Sequence, residues 1–351
     1  MNGIINLSSI RKLVQIAAFV FFVYGGVITG YYLEDKISGA LPALSCAYDQ
    51  QGADLCTLIP IQHQMDHRLG EAIAKGGNLM MGIMPTLITL GTFLLLFVFL
   101  NKAFCGWICP LGTFQDFLYM IGQKIGLTRR ESLDEGLVNR IRPVKWFILL
   151  LLVFGFPLLA GIGMVNHDLG DPFCRICPSR ILTTLATGDT SQLYVDTANT
   201  TTIVLSLLAD FLFGLMVALA LTVRQPFCRI CPMLALHATF RKLGLLRLVK
   251  NGTPRCDRCG LCAKACPMDI REIHTDMERR DVTFEDCTLC GRCVEFCPDK
   301  DVLQMKYALI PVFTSGPDYF KSRKKAQTKW EKSNLIQWLR RDRSKAQVKT
   351  P

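Results

Sequence analysis

Sixteen cysteines in 351 residues, most of them in short runs that end in proline, are the feature of this chain best suited to chemistry. Residues 256–267 read C-D-R-C-G-L-C-A-K-A-C-P and residues 287–298 read C-T-L-C-G-R-C-V-E-F-C-P. Both follow Cys-x-x-Cys-x-x-Cys-x-x-x-Cys-Pro. In this spacing three thiolates of one run cap a four-iron, four-sulfur cluster and the fourth reaches across to a second cluster. By that rule one cluster takes Cys256, Cys259, Cys262 and Cys297, and the other takes Cys287, Cys290, Cys293 and Cys266. Gly260 and Gly291 let the loop backbone approach the sulfides, and Pro267 and Pro298 end each run. Isolated Cys-x-x-Cys pairs suit zinc; two complete copies of so long a motif favour clusters. Such clusters pass single electrons and by themselves move no proton or group. This part of the chain therefore reads as a wire, and the question is what lies at its ends.

Three more pairs precede prolines. Cys105 and Cys109 lie in F-C-G-W-I-C-P-L-G, Cys174 and Cys177 in F-C-R-I-C-P, and Cys228 and Cys231 in a second F-C-R-I-C-P. Each follows an apolar segment, which suggests an internal repeat of span plus cysteine motif. Cys46 and Cys56 stand apart in an earlier stretch.

The elements that must position these groups are membrane helices. Half of the residues are hydrophobic, more than a soluble domain of this size usually carries. Crossing a bilayer core of about 30 Å takes roughly 20 apolar residues in a helix. Leu13 to Leu33, Leu79 to Leu100 and Trp146 to Val165 meet this with no charge, and Thr201 to Val223 with Asp210 alone. The first run is too long for a signal-peptide core. Pro157 is expected to kink the third span. Lys and Arg are concentrated at 101–145 and after Val223, and are sparse at 34–78 and 166–200. Cytoplasmic loops carry such an excess, so both termini are expected in the cytoplasm. The net charge of +11 fits this distribution and needs no nucleic acid. The expected fold is a membrane α-helical protein: a four-helix transmembrane bundle over 1–245, an α+β two-cluster domain over 246–310, and a basic amphipathic tail over 311–351. In that topology Cys105, Cys109, Cys228 and Cys231 form an inner quartet. Cys46, Cys56, Cys174 and Cys177 form an outer one. The inner set reads as one further 4Fe-4S cluster or as reduced, redox-active thiols. The outer set reads as a cluster or as disulfides, which an oxidising compartment favours.

Taken together, the spans, F-C-G-W-I-C-P after the second, a Cys-Pro motif after the fourth and the double-cluster end resemble the membrane ferredoxin subunits that feed periplasmic nitrate reductase. Related families are the nitrous-oxide reductase regulators and the ferredoxin-like accessory protein of cytochrome oxidase assembly. The resemblance covers roughly residues 10–305. It implies an oxidoreductase subunit in a bacterial or archaeal cytoplasmic membrane, with quinone as substrate and other subunits of a respiratory or redox complex as partners. The chain departs from the family in its Cys-x-x-Cys at 228–231, in the pair at 174–177, and in Cys46 and Cys56. A second reading is an assembly or maturation factor that reduces metals or thiols for another respiratory enzyme.

Asp210 lies about nine residues into its span, roughly 13 Å deep at 1.5 Å per residue. An ionisable group at that depth is a candidate functional residue. It reads either as a proton acceptor for quinol or as an interhelical hydrogen-bonding group with Ser206 or Thr89. His63 and His67 share a helix face at i, i+4 and suit a metal, the border of a quinol pocket, or a plain solvated helix. No Cys-x-x-Cys-His, P-loop or dinucleotide fingerprint occurs. In the tail, Lys321, Arg323, Lys324, Lys325, Arg340, Arg341 and Arg343 interleave with Trp330, Leu335, Ile336, Trp338 and Leu339. This reads as an interfacial or partner-docking helix, or as a solvated tail.

Overall fold

The computed structural model describes residues 7–29, 56–127, 133–251 and 256–332. Cys46 and the end of the basic tail lie outside the described residues. Helix α1 (Leu7–Thr29) starts earlier than expected, so Arg11 and Lys12 sit in its first turns. Helix α2 (Leu58–Gln64) runs on through a wide turn, Met65–Gly70, into Glu71–Ala74. Helix α3 (Leu79–Leu100) is capped by the Asn78 side chain, which accepts from the Met80 amide. Helix α4 (Pro110–Ile125) is followed by α5, Glu135–Ile162. Within α5 the irregularity expected at Pro157 appears as a π-helical stretch, Leu149–Gly155, just before the proline; the ring removes an amide donor, and the widened turn absorbs the mismatch. Helices α6 (Pro178–Thr187), α7 (Thr200–Ala220) and α8 (Pro232–Thr239) complete this part.

Among the described residues four helices, α1, α3, α5 and α7, are long and apolar enough to cross a membrane. Only 17% of the α3 and α7 windows is buried inside the protein. Leu95, Phe99, Leu150 and Phe211 instead face outward, and an apolar exterior of this extent calls for lipid rather than water.

The C-terminal part is built on an antiparallel sheet of order β1-β2-β3, with β1 Leu246–Lys250, β2 Leu303–Tyr307 and β3 Ile310–Thr314. Two short helices, α9 (Leu261–Ala265) and α10 (Arg292–Glu295), fill the duplicated cysteine runs. The duplication extends to the backbone. Gly260 and Gly291 cap these helices at φ of +73° and +74°, and Arg258 and Leu289 take φ of +51° and +49°. Beyond Thr314 the chain forms α11 (Pro317–Lys332), packed on α4 and α10, with Arg323 3.8 Å from Glu295. The stretch read as the start of a tail thus contributes a strand and a packed helix.

Ion pairs close the seam between sheet domain and bundle. Arg142 is 2.8 Å from Asp286 and 2.5 Å from Glu272, and Lys145 also pairs with Asp286. The Lys145 side chain is 1% exposed, so removing its partner leaves a buried charge. Asp286→Ala is expected to destabilise the protein by about 3–5 kcal/mol. Thermal unfolding in detergent checks this, with Glu135→Ala, which removes the exposed pair of Glu135 with Arg271, expected to leave the midpoint nearly unchanged.

Candidate functional site

Each cysteine run folds as a tight loop entering a short helix, which turns its thiols toward one point. One cavity is lined by Cys256, Cys259, Cys262 and Cys297 together with Lys250 and His274. A second is lined by Cys266, Cys287, Cys290 and Cys293, with Ile273 and Met305 among the other residues. The structure therefore brings together the two cross-run sets that the spacing rule pairs. Burial pushes the Cys262 thiol up to about 12, with the nearby Cys297 adding to it; burial also takes Cys287 to about 12. Four thiolates so placed need a cationic group among them, and iron in a four-iron cluster is one such group, with cysteine its usual ligand. The donor sets fit. Cys259 is exposed, whereas Cys266, Cys287, Cys290 and Cys293 are all buried. The first site lies toward solvent and the second toward the bundle.

The membrane cysteines repeat a local design. Cys109, Cys177 and Cys231 are the N-cap residues of α4, α6 and α8, each followed by proline at the first helical position. Proline there disfavours a helical conformation at the residue before it and has no amide to leave unpaired. Cys266 before Pro267 has nearly the same backbone as Cys177, with φ −70° and ψ 124° at both. The thiols gather. Burial raises Cys105 well above its ordinary value, and the charges of Cys109 and Cys228 add to this. Cys231 is raised in the same way by burial, then by Cys228, Cys105, Cys109 and Cys177. Cys105, Cys109, Cys228 and Cys231 thus lie near one another, with Cys177 near Cys231.

The 166–200 connection is packed into the protein, and Cys174 and Cys177 with it. They are 5% exposed each, in the same apolar core as Cys56, Cys109 and Cys231. The segment folds back among the spans: α6 packs against α1, α4 and α7, and Tyr24 donates to the Ala186 carbonyl at 2.7 Å. Gln62 donates to Cys174 Sγ at 2.9 Å.

Two residues that sequence reading passed over hold the quartet. His237 Nδ1 lies 3.1 Å from Cys105 Sγ, with its ring against Phe93 and Phe97. Gln115 donates to Cys228 Sγ at 3.6 Å and accepts the Phe227 amide at 3.0 Å. A single histidine and a single glutamine carry no pattern in sequence.

The quartet loops are fastened to the cysteine runs of the sheet domain. Arg229, between Cys228 and Cys231, donates to the Pro267 and Met268 carbonyls at 2.8 and 3.2 Å and pairs with Asp269 at 2.7 Å. Trp107, between Cys105 and Cys109, donates to the Leu289 carbonyl at 2.9 Å. Arg11 donates to the Cys290 carbonyl at 2.6 Å, and Lys102 to those of Phe284 and Glu285 at 3.0 and 2.6 Å. Burial lowers Lys102 to about 8 against the opposing pull of Cys287 and Cys105.

Asp210 is half-buried in α7, and its Oδ1 has no hydrogen-bond partner among the described residues. Ser206 donates to the Thr202 carbonyl at 2.7 Å, and Thr89 accepts from Gln64 at 2.9 Å, so neither serves Asp210. The preceding residues Thr202, Ser206 and Ala209 line a cavity of about 230 Å³ shared with Arg175 and Arg180.

The fold and the cysteine sites define a ferredoxin-type 4Fe-4S membrane protein. The family described as 4Fe-4S binding domain matches residues 83–128 and 205–251, and the 4Fe-4S dicluster domain matches 248–298. The first two matches take in α3 with α4 and α7 with α8, the repeat of span and cysteine turn. Homologues are the NapH, MauN, YccM and NosR proteins. The chain is 27% identical over 213 residues to the putative electron transport protein YccM of Escherichia coli, covering 60% of this chain and 53% of that protein, about half its length. It is 24% identical over 300 residues to the ferredoxin-type protein NapH of Haemophilus influenzae, 83% of this chain and 86% of the relative. Against the methylamine utilization ferredoxin-type protein MauN of Methylorubrum extorquens it is 26% identical over 270 residues, 74% of each chain. No solved structure matches.

Gly106 tests the seam. A Cβ there would overlap the Thr288 carbonyl oxygen and meet Cys290. Gly106→Ala is expected to loosen the sheet domain from the bundle, seen as faster protease cleavage in the segment 240–251, while Gly214→Ala, where nothing lies near the added Cβ, cleaves at the wild-type rate.

Proposed function

We propose that this chain carries electrons between the membrane quinone pool and a redox partner subunit, as a quinol dehydrogenase type of oxidoreductase subunit. In this reading Cys256, Cys259, Cys262 and Cys297 hold one 4Fe-4S cluster, and Cys266, Cys287, Cys290 and Cys293 hold another. Cys105, Cys109, Cys228 and Cys231 hold a third. When bound, such clusters supply one-electron redox chemistry. The observation that carries the reading is the fastening of the Cys228–Cys231 loop, through Arg229, onto the turn that follows Cys266. Trp107 does the same for the Cys105–Cys109 loop at Leu289. Two sets of electron-carrying ligands are thereby held on one rigid seam rather than on a mobile linker. Lys102 holds positive charge between them, and His237 orients the Cys105 thiol.

The sheet domain and both termini lie in the cytoplasm in this reading, and the protein sits in a bacterial or archaeal cytoplasmic membrane. The Lys and Arg distribution supports that orientation. The chain divides near residue 245 into a membrane part and a ferredoxin part. Similarity to NapH and MauN, both named ferredoxin-type proteins, supports partner subunits.

Quinol oxidation to quinone releases electrons and protons together, and Asp210 is the proposed proton acceptor. Its unpartnered oxygen leaves a lone pair available, and its position inside an apolar helix supports this role. Asp210→Asn keeps size and removes the basic oxygen. Quinol-driven reduction of the clusters is expected to slow about 100-fold or more in that variant, with iron content and dithionite reduction unchanged. Stopped-flow absorbance on the anaerobic protein measures this. A wild-type quinol rate in the variant would remove Asp210 from the mechanism, and no quinol-driven reduction of the wild type would remove the quinone.

A further inference from the structure

At the end of the bundle away from the sheet domain, two imidazoles converge on one buried carboxylate. Asp66 lies in the turn that continues α2, and its side chain is 4% exposed. His67 Nε2 is 3.7 Å and His167 Nε2 is 3.8 Å from the same atom, Asp66 Oδ2. One ligand atom from each residue falls within a common span of 4.8 Å. We propose that Asp66, His67 and His167 bind a divalent first-row transition-metal ion, of which Zn²⁺ is representative.

The surroundings are shaped for a ligand at this carboxylate. The helix of Asp66 is pressed on the end of α5, where a Cβ on Gly70 would reach the Gly161 backbone at 2.6 Å. That contact carries Asp66 next to the turn bearing His167. Gly170 leaves the room for Asp66 Oδ2 that a Cβ would take. The two rings and Gly170 lie against the Asp66 carboxylate. A buried carboxylate is costly unless it is paired, and a bound cation removes that cost. Imidazole and carboxylate together select zinc and its neighbours rather than calcium or magnesium. Nitrogen and oxygen ligands about 2.1 Å from a tetrahedral ion lie about 3.4 Å apart, so each ring closes on Asp66 by a few tenths of an ångström, and the two histidine nitrogens, within 4.8 Å of each other, close by at most about 1.4 Å. Both rings are exposed enough to make that movement, at 47% and 74%. On the far side of His67, Nδ1 lies 3.8 Å from Glu71 Oε1, the outer carboxylate that commonly fixes a ligand histidine. Three protein ligands leave a position open to water or a small anion. The bound ion ties the connection carrying Cys56 to the one carrying Cys174 and Cys177.

The test uses the anaerobically purified full chain with its iron in place, equilibrated with Zn²⁺ and desalted. Zinc and iron are then counted by mass spectrometry, and zinc affinity is measured against a competing chelator. The wild type is expected to retain about one zinc more per chain than the His67→Ala/His167→Ala variant at equal iron. His167→Ala alone is expected to weaken zinc at least about tenfold. If the double variant also loses iron, Asp66→Asn decides, since it keeps the shape: lost zinc at wild-type iron supports the site. Zinc retained equally by wild type and Asp66→Asn places the ion on cysteines and overturns the proposal. So does a wild type that retains none.

Discussion

The structure depends on buried cations that end on carbonyl and carboxylate oxygens. Arg11, Lys102, Lys145 and Arg229 are each 6% exposed or less, and all four point across the seam between bundle and sheet domain. A buried charge is tolerated only where hydrogen bonds and counter-charges replace its water. The loops around Cys266 and Cys287–Cys293 supply those partners only in their folded shape. The charges therefore fix two things at once: the position of the sheet domain and the conformation of the loop that presents its thiols. Other ion pairs join at the rim, among them Arg292 with Asp116 at 2.9 Å.

On that seam one backbone device recurs. An extended cysteine followed by proline opens a helix after Cys109, Cys177 and Cys231 and ends one at Cys266. Proline removes the amide that would otherwise compete for the thiol's surroundings, and the helix start places positive partial charge near sulfur. The helix α6 packs against α1, α4 and α7, and Cys109, Cys177 and Cys231 belong to the same buried core as Cys266, Cys287, Cys293 and Cys297.

Much of this was legible in the sequence where spacing alone decides the geometry. The runs at 256–267 and 287–298 carried the two cross-run cysteine sets, and uninterrupted apolar stretches carried the four helices long enough to cross a membrane. What was not legible is tertiary. Residues 166–200 read from their sparse Lys and Arg as an outer connection, and nothing in that count foretold that α6 is amphipathic and buries Ile181 and Leu182. Arg11, Lys102, Arg142 and Lys145 were counted as membrane-orienting charges; their side chains serve the seam. His237 had no motif around it. The ligand atoms of Asp66 and His167 are a hundred residues apart in sequence, and only the Gly70–Gly161 approach brings them together. His63 and His67 were read as one face of a helix, and His67 turns out to face His167 as well, with ring centres 5.2 Å apart.

The central claim is that the membrane quartet is a cluster site in electronic contact with the two sites of the sheet domain. It is tested most directly by iron and sulfide analysis of the anaerobically purified chain beside Cys231→Ser, with cluster reduction followed by paramagnetic resonance. The account predicts that the variant loses about four iron atoms per chain. Dithionite should still reduce the remaining clusters, while quinol should no longer reach them. An unchanged iron content with unchanged quinol reduction in Cys231→Ser would contradict it.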